Sequence, residues 1–170
     1  MSEALLERQP VPLVQAGKFL TFRVGGESYG LEILRVQEII GMMAVTHVPR
    51  TPEYVRGVIN LRGKVIPVME LRLKFGMEGQ EDTPRTCIIV VQVHRGGLPI
   101  TMGVIVDEVS EVLDISASQL EPPPSFGLHI DTEFILGMCK AGEKVILLLD
   151  ADRVLSGKEM DAVAGLGEDG

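Results

Sequence analysis

A mainly β protein, built as two like barrels packed on each other, is what this 170-residue sequence predicts. Three observations carry that prediction. Short runs of alternating apolar and polar residues recur along the chain, separated by glycine, proline and acidic turn signals. One such stretch, Gly57 to Met69, reads as a strand-turn-strand hairpin. That hairpin, with its flanking strands, occurs twice.

In the hairpin, Val58 and Asn60 face one way and Ile59 and Leu61 the other, the two-residue period of a half-buried strand. Arg62-Gly63 makes the turn, and Lys64 to Met69 returns. Pro67 has no N–H to donate, so this second strand is expected at a sheet edge on Pro67's side. Glu70 to Phe75 holds good helix formers and stops at Gly76. An offset of 80 positions sets Phe134-Ile135-Leu136-Gly137 under Tyr54-Val55-Arg56-Gly57, Lys144-Val145-Ile146 under Lys64-Val65-Ile66, and Asp150 under Glu70. The second turn is then Gly142-Glu143, with glycine where a type II′ turn wants it. An offset of 73 pairs Gly30-Leu31 with Gly103-Val104, Val36 with Val109, Glu38 with Glu111, and Ile39-Ile40 with Val112-Leu113.

The elements follow in order. Residues 1–17 have no sustained period and read as a flexible lead-in. Lys18 to Val24 is a strand, Gly25-Gly26 a turn, and Glu27 to Ile33 a second strand. Leu34 to Gly41 reads as a helical turn running into a short strand. Met42 to Pro49 is extended, and Pro52-Glu53-Tyr54 reads as one helical turn before the hairpin. The acidic, glycine-bearing stretch 76–84 is the link between copies of roughly 18–75 and 85–155. Cys87 to Val93 is a strand buried on both faces. Arg95-Gly96-Gly97 turns it, and Pro99 to Val106 returns. Ser116 to Gln119 begins a short helical turn, and Glu121-Pro122-Pro123-Pro124 is stiff and extended. Val145 to Leu149 is expected in the core, Asp150 caps a short helix, and the tail 156–170 frays.

Charge and length narrow the function. Sixteen Lys and Arg against 24 Asp and Glu give −8, against a binder of phosphate backbones. No apolar run is long enough to span a bilayer. The early acids lack the apolar stretch of a signal peptide, so a cytoplasmic protein is expected. His47, His94 and His129 have no metal-ligand spacing. Cys87 and Cys139 read as free thiols within strands, without the setting of a nucleophile. The glycine pairs lack the lysine and helix of a phosphate loop. Asp107, Glu108, Glu111 and Asp114 read as a solvated acidic edge, because calcium-loop spacing is missing. With no cofactor or metal expected, a binding module with apolar grooves and charged rims fits better than an enzyme.

Val36-Gln37-Glu38-Ile39, Tyr29 to Leu34, Gly57 to Gly63, Pro67 to Arg72, Gly103 to Asp107 and Phe134 to Gly137 together resemble the CheW-like domain family of bacterial chemotaxis. The likeness spans about residues 18–155, and its N-L-R-G hairpin followed by P-V-x-[DE]-L-R is specific to that class. It implies two intertwined five-stranded SH3-like β-barrels and a non-enzymatic adaptor. The implied partners are the histidine kinase CheA, through its own CheW-like domain, and the cytoplasmic tip of methyl-accepting chemoreceptors, with recruitment to receptor arrays at the membrane's inner face. Val36, Glu38, Gly57, Arg62, Val109 and Gly137 match positions the family associates with receptor coupling, and Cys87 lies at another. Glu38 and Arg62 resemble a family charge pair. Phe126 matches an aromatic used against the kinase, and Glu121 stands where relatives carry a basic residue. The resemblance also admits a paralogue serving a non-chemotactic kinase; the residues alone admit a ligand-binding barrel.

Overall fold

The computed structural model of the chain describes residues 16–122 and 134–155. The lead-in before residue 16, Phe126, His129 and the tail from 156 lie outside the described residues. Eleven strands follow one another: β1 (Gly17–Val24), β2 (Glu27–Glu32), β3 (Val36–Gly41), β4 (Val55–Leu61), β5 (Lys64–Glu70), β6 (Cys87–Arg95), β7 (Leu98–Val106), β8 (Glu108–Ile115), β9 (Leu120–Glu121), β10 (Ile135–Ala141) and β11 (Lys144–Leu149). Two four-residue helices, α1 (Leu71–Lys74) and α2 (Ala151–Val154), follow β5 and β11. A 3₁₀ turn, Ile33–Arg35, precedes β3, and another, Ala117–Gln119, precedes β9.

The strands form two sheets, ordered β8-β1-β2-β11-β10-β9 and β3-β6-β7-β5-β4. Under the two sequence offsets, β2, β3, β4 and β5 correspond to β7, β8, β10 and β11, which makes β1 the counterpart of β6. Each sheet therefore takes the first two strands of one copy and the last three repeated strands of the other, and the two-residue β9 adds a sixth to the sheet of β1 and β2. The register irregularities repeat with the copies: Val36/Glu38 against β6 is matched in β8 against β1, and Val55/Gly57 in β4 by Ile135/Gly137 in β10. Both sheets carry one parallel pairing, β5 with β7 and β11 with β2, fixed by Val68↔Gly103 and Leu148↔Gly30.

Both sheets curl. Ile40 from β3 and Leu61 from β4, at opposite edges of the five-stranded sheet, pack on one cluster with Ile59, Ile66, Val68, Ile88, Val90 and Ile105. Leu113 from β8 and Leu120 from β9 likewise share a cluster with Phe19, Ile115, Cys139, Ile146 and Leu148. The largest cluster is neither barrel's interior. It takes Leu20, Phe22 and Val24 from one sheet and Ile89, Val91 and Val93 from the other, with Leu71, Ala151 and Val154 of the two helices. Truncating any of the large side chains there to Ala costs about 2–5 kcal/mol. Phe22, Tyr29, Phe75 and Phe134 run through this layer, with successive ring centroids 6.0, 5.1 and 5.4 Å apart.

Several expectations are met in detail. Ile88 to Val91 are fully buried, as a strand covered on both faces requires. Asp150 caps α2 by accepting from the amides of Asp152 at 3.0 Å and Arg153 at 3.3 Å. After α1 the Gly76 and Met77 amides donate back to Leu73 and Arg72 carbonyls, a Schellman ending. Three expectations change. Pro67 does not put β5 at an edge: β5 lies between β7 and β4. Val58 exchanges both its backbone hydrogen bonds with Thr46 and none with Pro67, so Pro67's missing donor points toward β7. The β5–β7 ladder begins only at Val68, so nothing there needs that donor. Val145 is 45% exposed rather than in the core, because β11 alternates and only Ile146, Leu148 and Leu149 are buried. Pro52 to Tyr54 is a single hydrogen-bonded turn, closed by the Val55 amide on the Pro52 carbonyl, and not helical.

The exchange of strands predicts how the chain unfolds. A full-length protein with a protease site inserted between Gly79 and Gln80, once cut, stays one particle on size exclusion and loses all its β circular dichroism in a single transition. Separation of the pieces under native conditions contradicts this.

Candidate functional site

Glu38 and Arg62 lie on elements that share no ladder. Glu38 is in β3, at one edge of the five-stranded sheet, and Arg62 is in the turn between β4 and β5 at the other. Curling of the sheet brings them together. The guanidinium donates to both carboxylate oxygens, Nη1 to Oε1 at 3.0 Å and Nη2 to Oε2. This is the bidentate arrangement that gives such pairs their directionality. It holds the Glu38 carboxyl below its ordinary range: the Arg62 hydrogen bond is the largest cause, a smaller desolvation effect opposes it, and attraction to the Arg62 charge adds to it. The Arg62 side chain is 69% exposed, so the pair closes the barrel seam while leaving most of the guanidinium to solvent.

Val36 opens β3 opposite Val91 and packs half-buried on the central cluster. Gly57 is buried within β4 at φ +146°, and a Cβ there would lie 2.1 Å from the Thr46 carbonyl oxygen. The reason is the segment after β3, which returns along β4 and bonds Thr46 to Val58 in both directions, at 2.8 and 2.9 Å. Gly57 is therefore a requirement of the backbone. Gly137 is buried at the equivalent bulge of β10, in the other sheet.

Val109 lies in β8 opposite Phe22. The Cys87 thiol, at the start of β6, lies near the Val109 backbone at the edge of the neighbouring sheet. Burial raises the Cys87 pKa and the nearby Val109 backbone partly offsets it; burial also raises that of Cys139. Raised thiols carry little thiolate, the opposite of an activated nucleophile. The six expected positions thus divide between the barrels: Val36, Glu38, Gly57 and Arg62 on one, Val109 and Gly137 on the other. Glu38 touches Arg62 and Cys87 lies near Val109. Glu121 is in β9, where its carboxylate pairs with Lys140 Nζ at 3.2 Å.

Sequence reasoning passed over two ion pairs that lock the ends of the barrels. Asp107 is not part of a solvated edge. It accepts from Arg72 Nε at 3.1 Å and Nη2 at 2.7 Å, and from the Gly25 amide at 2.8 Å. Near the corresponding place in the other barrel, Arg35 donates from Nη1 and Nη2 to Asp152, both at 2.9 Å, and also approaches His94 Nδ1 at 3.1 Å. The charges are reversed: the cation is on the helix in one barrel and the anion on the helix in the other. Arg72 closes the P-V-x-[DE]-L-R motif, which was the signal available for the first pair. Among the described residues, no group of three His, Cys, Asp or Glu is placed to hold a metal ion. No helix among them is long and apolar enough to cross a membrane.

Two curled sheets that share one core and present charged pairs define a protein that works through its surfaces. Comparison with known proteins gives the family. The description "CheW-like domain" matches residues 18–159. Chemotaxis protein CheW of Klebsiella aerogenes is 39% identical over 146 residues, covering 86% of each chain. Protein FrzA of Myxococcus xanthus is 32% identical over 150 residues, covering 86% of this chain and 90% of that protein. The crystal structure of the scaffolding protein TtCheW from Thermoanaerobacter tengcongensis superposes with a TM-score of 0.74 at 35% identity, over 85% of this chain and 96% of that one. The chain belongs to the CheW-like domain family. It is of the chemotaxis scaffold class and is not an enzyme.

Two measurements check the site. Gly57→Ala places a methyl group against the Thr46 backbone at a strained φ, and costs at least about 2 kcal/mol in chemical denaturation. The Glu38 carboxyl, followed by NMR, titrates below an ordinary glutamate and returns to the ordinary range in Arg62→Ala. Because the folded value is the depressed one, the pair's contribution is present above the ordinary glutamate range and is lost as pH falls through the depressed value.

Proposed function

We propose that this chain couples the cytoplasmic tip of methyl-accepting chemoreceptors to the histidine kinase CheA, acting in the cytoplasm at receptor arrays. The observation that carries the reading is the Glu38–Arg62 pair, a bidentate contact set on a barrel seam with its guanidinium largely open to solvent. Such a group gives a partner orientation and register more than raw affinity. Val36, Gly57, Val109 and Gly137 complete the receptor-facing set, with Cys87 beside Val109. In this reading Gly57 acts by shaping the backbone and Val36 and Val109 by offering apolar contact at the barrel ends of β3 and β8. The CheA contact draws on Phe126 and on Glu121, whose anion asks for a cationic group on the kinase. Membership of a family whose relatives are named chemotaxis and scaffolding proteins supports the same reading.

The test is binding of the full chain to a receptor-tip fragment and, separately, to the kinase's CheW-like domain. Arg62→Ala and Glu38→Ala are each expected to weaken receptor binding by roughly ten-fold, about 1.4 kcal/mol, with little change in melting temperature. Binding of neither partner by the wild-type chain contradicts the proposal, as does full binding by both variants.

A further inference from the structure

The turns of the β4–β5 and β10–β11 hairpins are related by the repeat, yet they are built differently. In the second, Gly142 takes the first central position at φ +65°. Glu143, which follows it, is not among the residues with positive φ, so the turn is the type II′ form that only glycine's freedom at the first position requires. In the first, the same place is held by Arg62 at φ +53°, followed by Gly63 at +87°. That is a type I′ turn with an arginine in the left-handed region, where a Cβ is unfavourable. Glycine at this place would relieve the strain, as the second copy demonstrates. The first copy keeps the arginine.

One further difference goes with it. The Asn60 side chain carbonyl accepts the Gly63 amide at 2.8 Å, spanning the strained residue. An asparagine side chain bonded forward to the main chain acts as a local turn brace, here tying Asn60 across Leu61 and Arg62 to Gly63. The repeat puts Lys140 opposite Asn60, and that side chain pairs with Glu121 instead. Asparagine and strained arginine occur together in the first hairpin, and both are missing from the second. Asn60 is exposed and makes its contact within its own turn, so it has no packing duty that would account for it.

We infer that Asn60 is a positioning residue for the coupling site: its side chain holds the turn in the conformation that aims Arg62 across the barrel seam at Glu38. The inference rests on the reading of Glu38–Arg62 as the receptor-coupling pair, but its primary readout does not depend on a receptor. Preorganisation of this kind lowers the ordering cost on docking, because the guanidinium is already held in its fork geometry.

The experiment uses the full chain as wild type, Asn60→Ala, Asn60→Ser and Arg62→Ala. Two quantities are read in each: the NMR titration midpoint of the Glu38 carboxyl, and affinity for the receptor-tip fragment. In Asn60→Ala the Glu38 midpoint moves up toward that of Arg62→Ala, and affinity falls roughly five-fold, the equivalent of one modest hydrogen bond. Asn60→Ser keeps a neutral acceptor and falls between wild type and Asn60→Ala in both. A merely stabilising role would lower the melting temperature of Asn60→Ala and leave the Glu38 midpoint where it was; that result overturns the inference. If the midpoint moves in Asn60→Ala while neither Asn60→Ala nor Arg62→Ala changes affinity, the positioning role stands and the receptor reading fails.

Discussion

The apolar layer between the two sheets is the constraint on which the rest of the molecule depends. Leu20, Phe22 and Val24 of β1 meet Ile89, Val91 and Val93 of β6 there, so the repeated opening strands form opposite walls of one core. Neither barrel is the property of one copy, because β8, β10 and β11 complete the sheet that β1 and β2 begin, and β3, β4 and β5 complete the other. The short helices and the Arg72–Asp107 and Arg35–Asp152 pairs stand where the chain passes from strand to helix and from one sheet to the next. Partly shielded and bidentate, these pairs have better geometry than most surface ion pairs, and they fix the ends of elements whose middles are held by packing.

That core also explains how such a protein serves as a scaffold. With the inner faces of both sheets consumed by packing, function falls to edges, seams and turns. Glu38 and Arg62 are at a seam, Cys87 and Val109 at a junction between sheets, and Glu121 on a short edge strand. The reversed charges of the two end pairs and the different chemistry of the two hairpins mean that a molecule of nearly two-fold design presents two unlike barrels. Unlike faces are what a protein needs if it is to hold two different partners without confusing them.

Much of this was legible in the sequence. Alternation in β4, the doubly covered run Ile88 to Val91, the Gly-Gly turns and the Asp150 cap each follow from one local rule, and the repeat told that two like units were present. Which strands pair with which was not legible from local pattern. The alternation of β1 reads the same whether it pairs with β8 or with β3, and only the shared core decides. Pro67 misled because the rule concerns one lost donor and cannot see that the ladder on that side starts a residue later. Val145 misled because a run of five apolar residues hides its own alternation. Of the site, Glu38–Arg62 was readable through its family pattern, whereas the Arg72–Asp107 and Arg35–Asp152 pairs join residues 35 and 117 positions apart with no local signature. The turn at Arg62-Gly63 was legible, but no local rule shows that Arg62 itself takes the left-handed backbone.

The aromatic file through the central layer has a practical side. The chain has no tryptophan and two tyrosines. Tyr29 is buried in that file between Phe22 and Phe75, while Tyr54 sits at its margin beneath the Lys74 ammonium, 4.4 Å from the ring centre. Ultraviolet emission from this protein is therefore tyrosine emission, and one of its two sources is embedded where the barrels meet. The molecule carries a native optical gauge of whether that shared layer is intact, and needs no attached dye to read it.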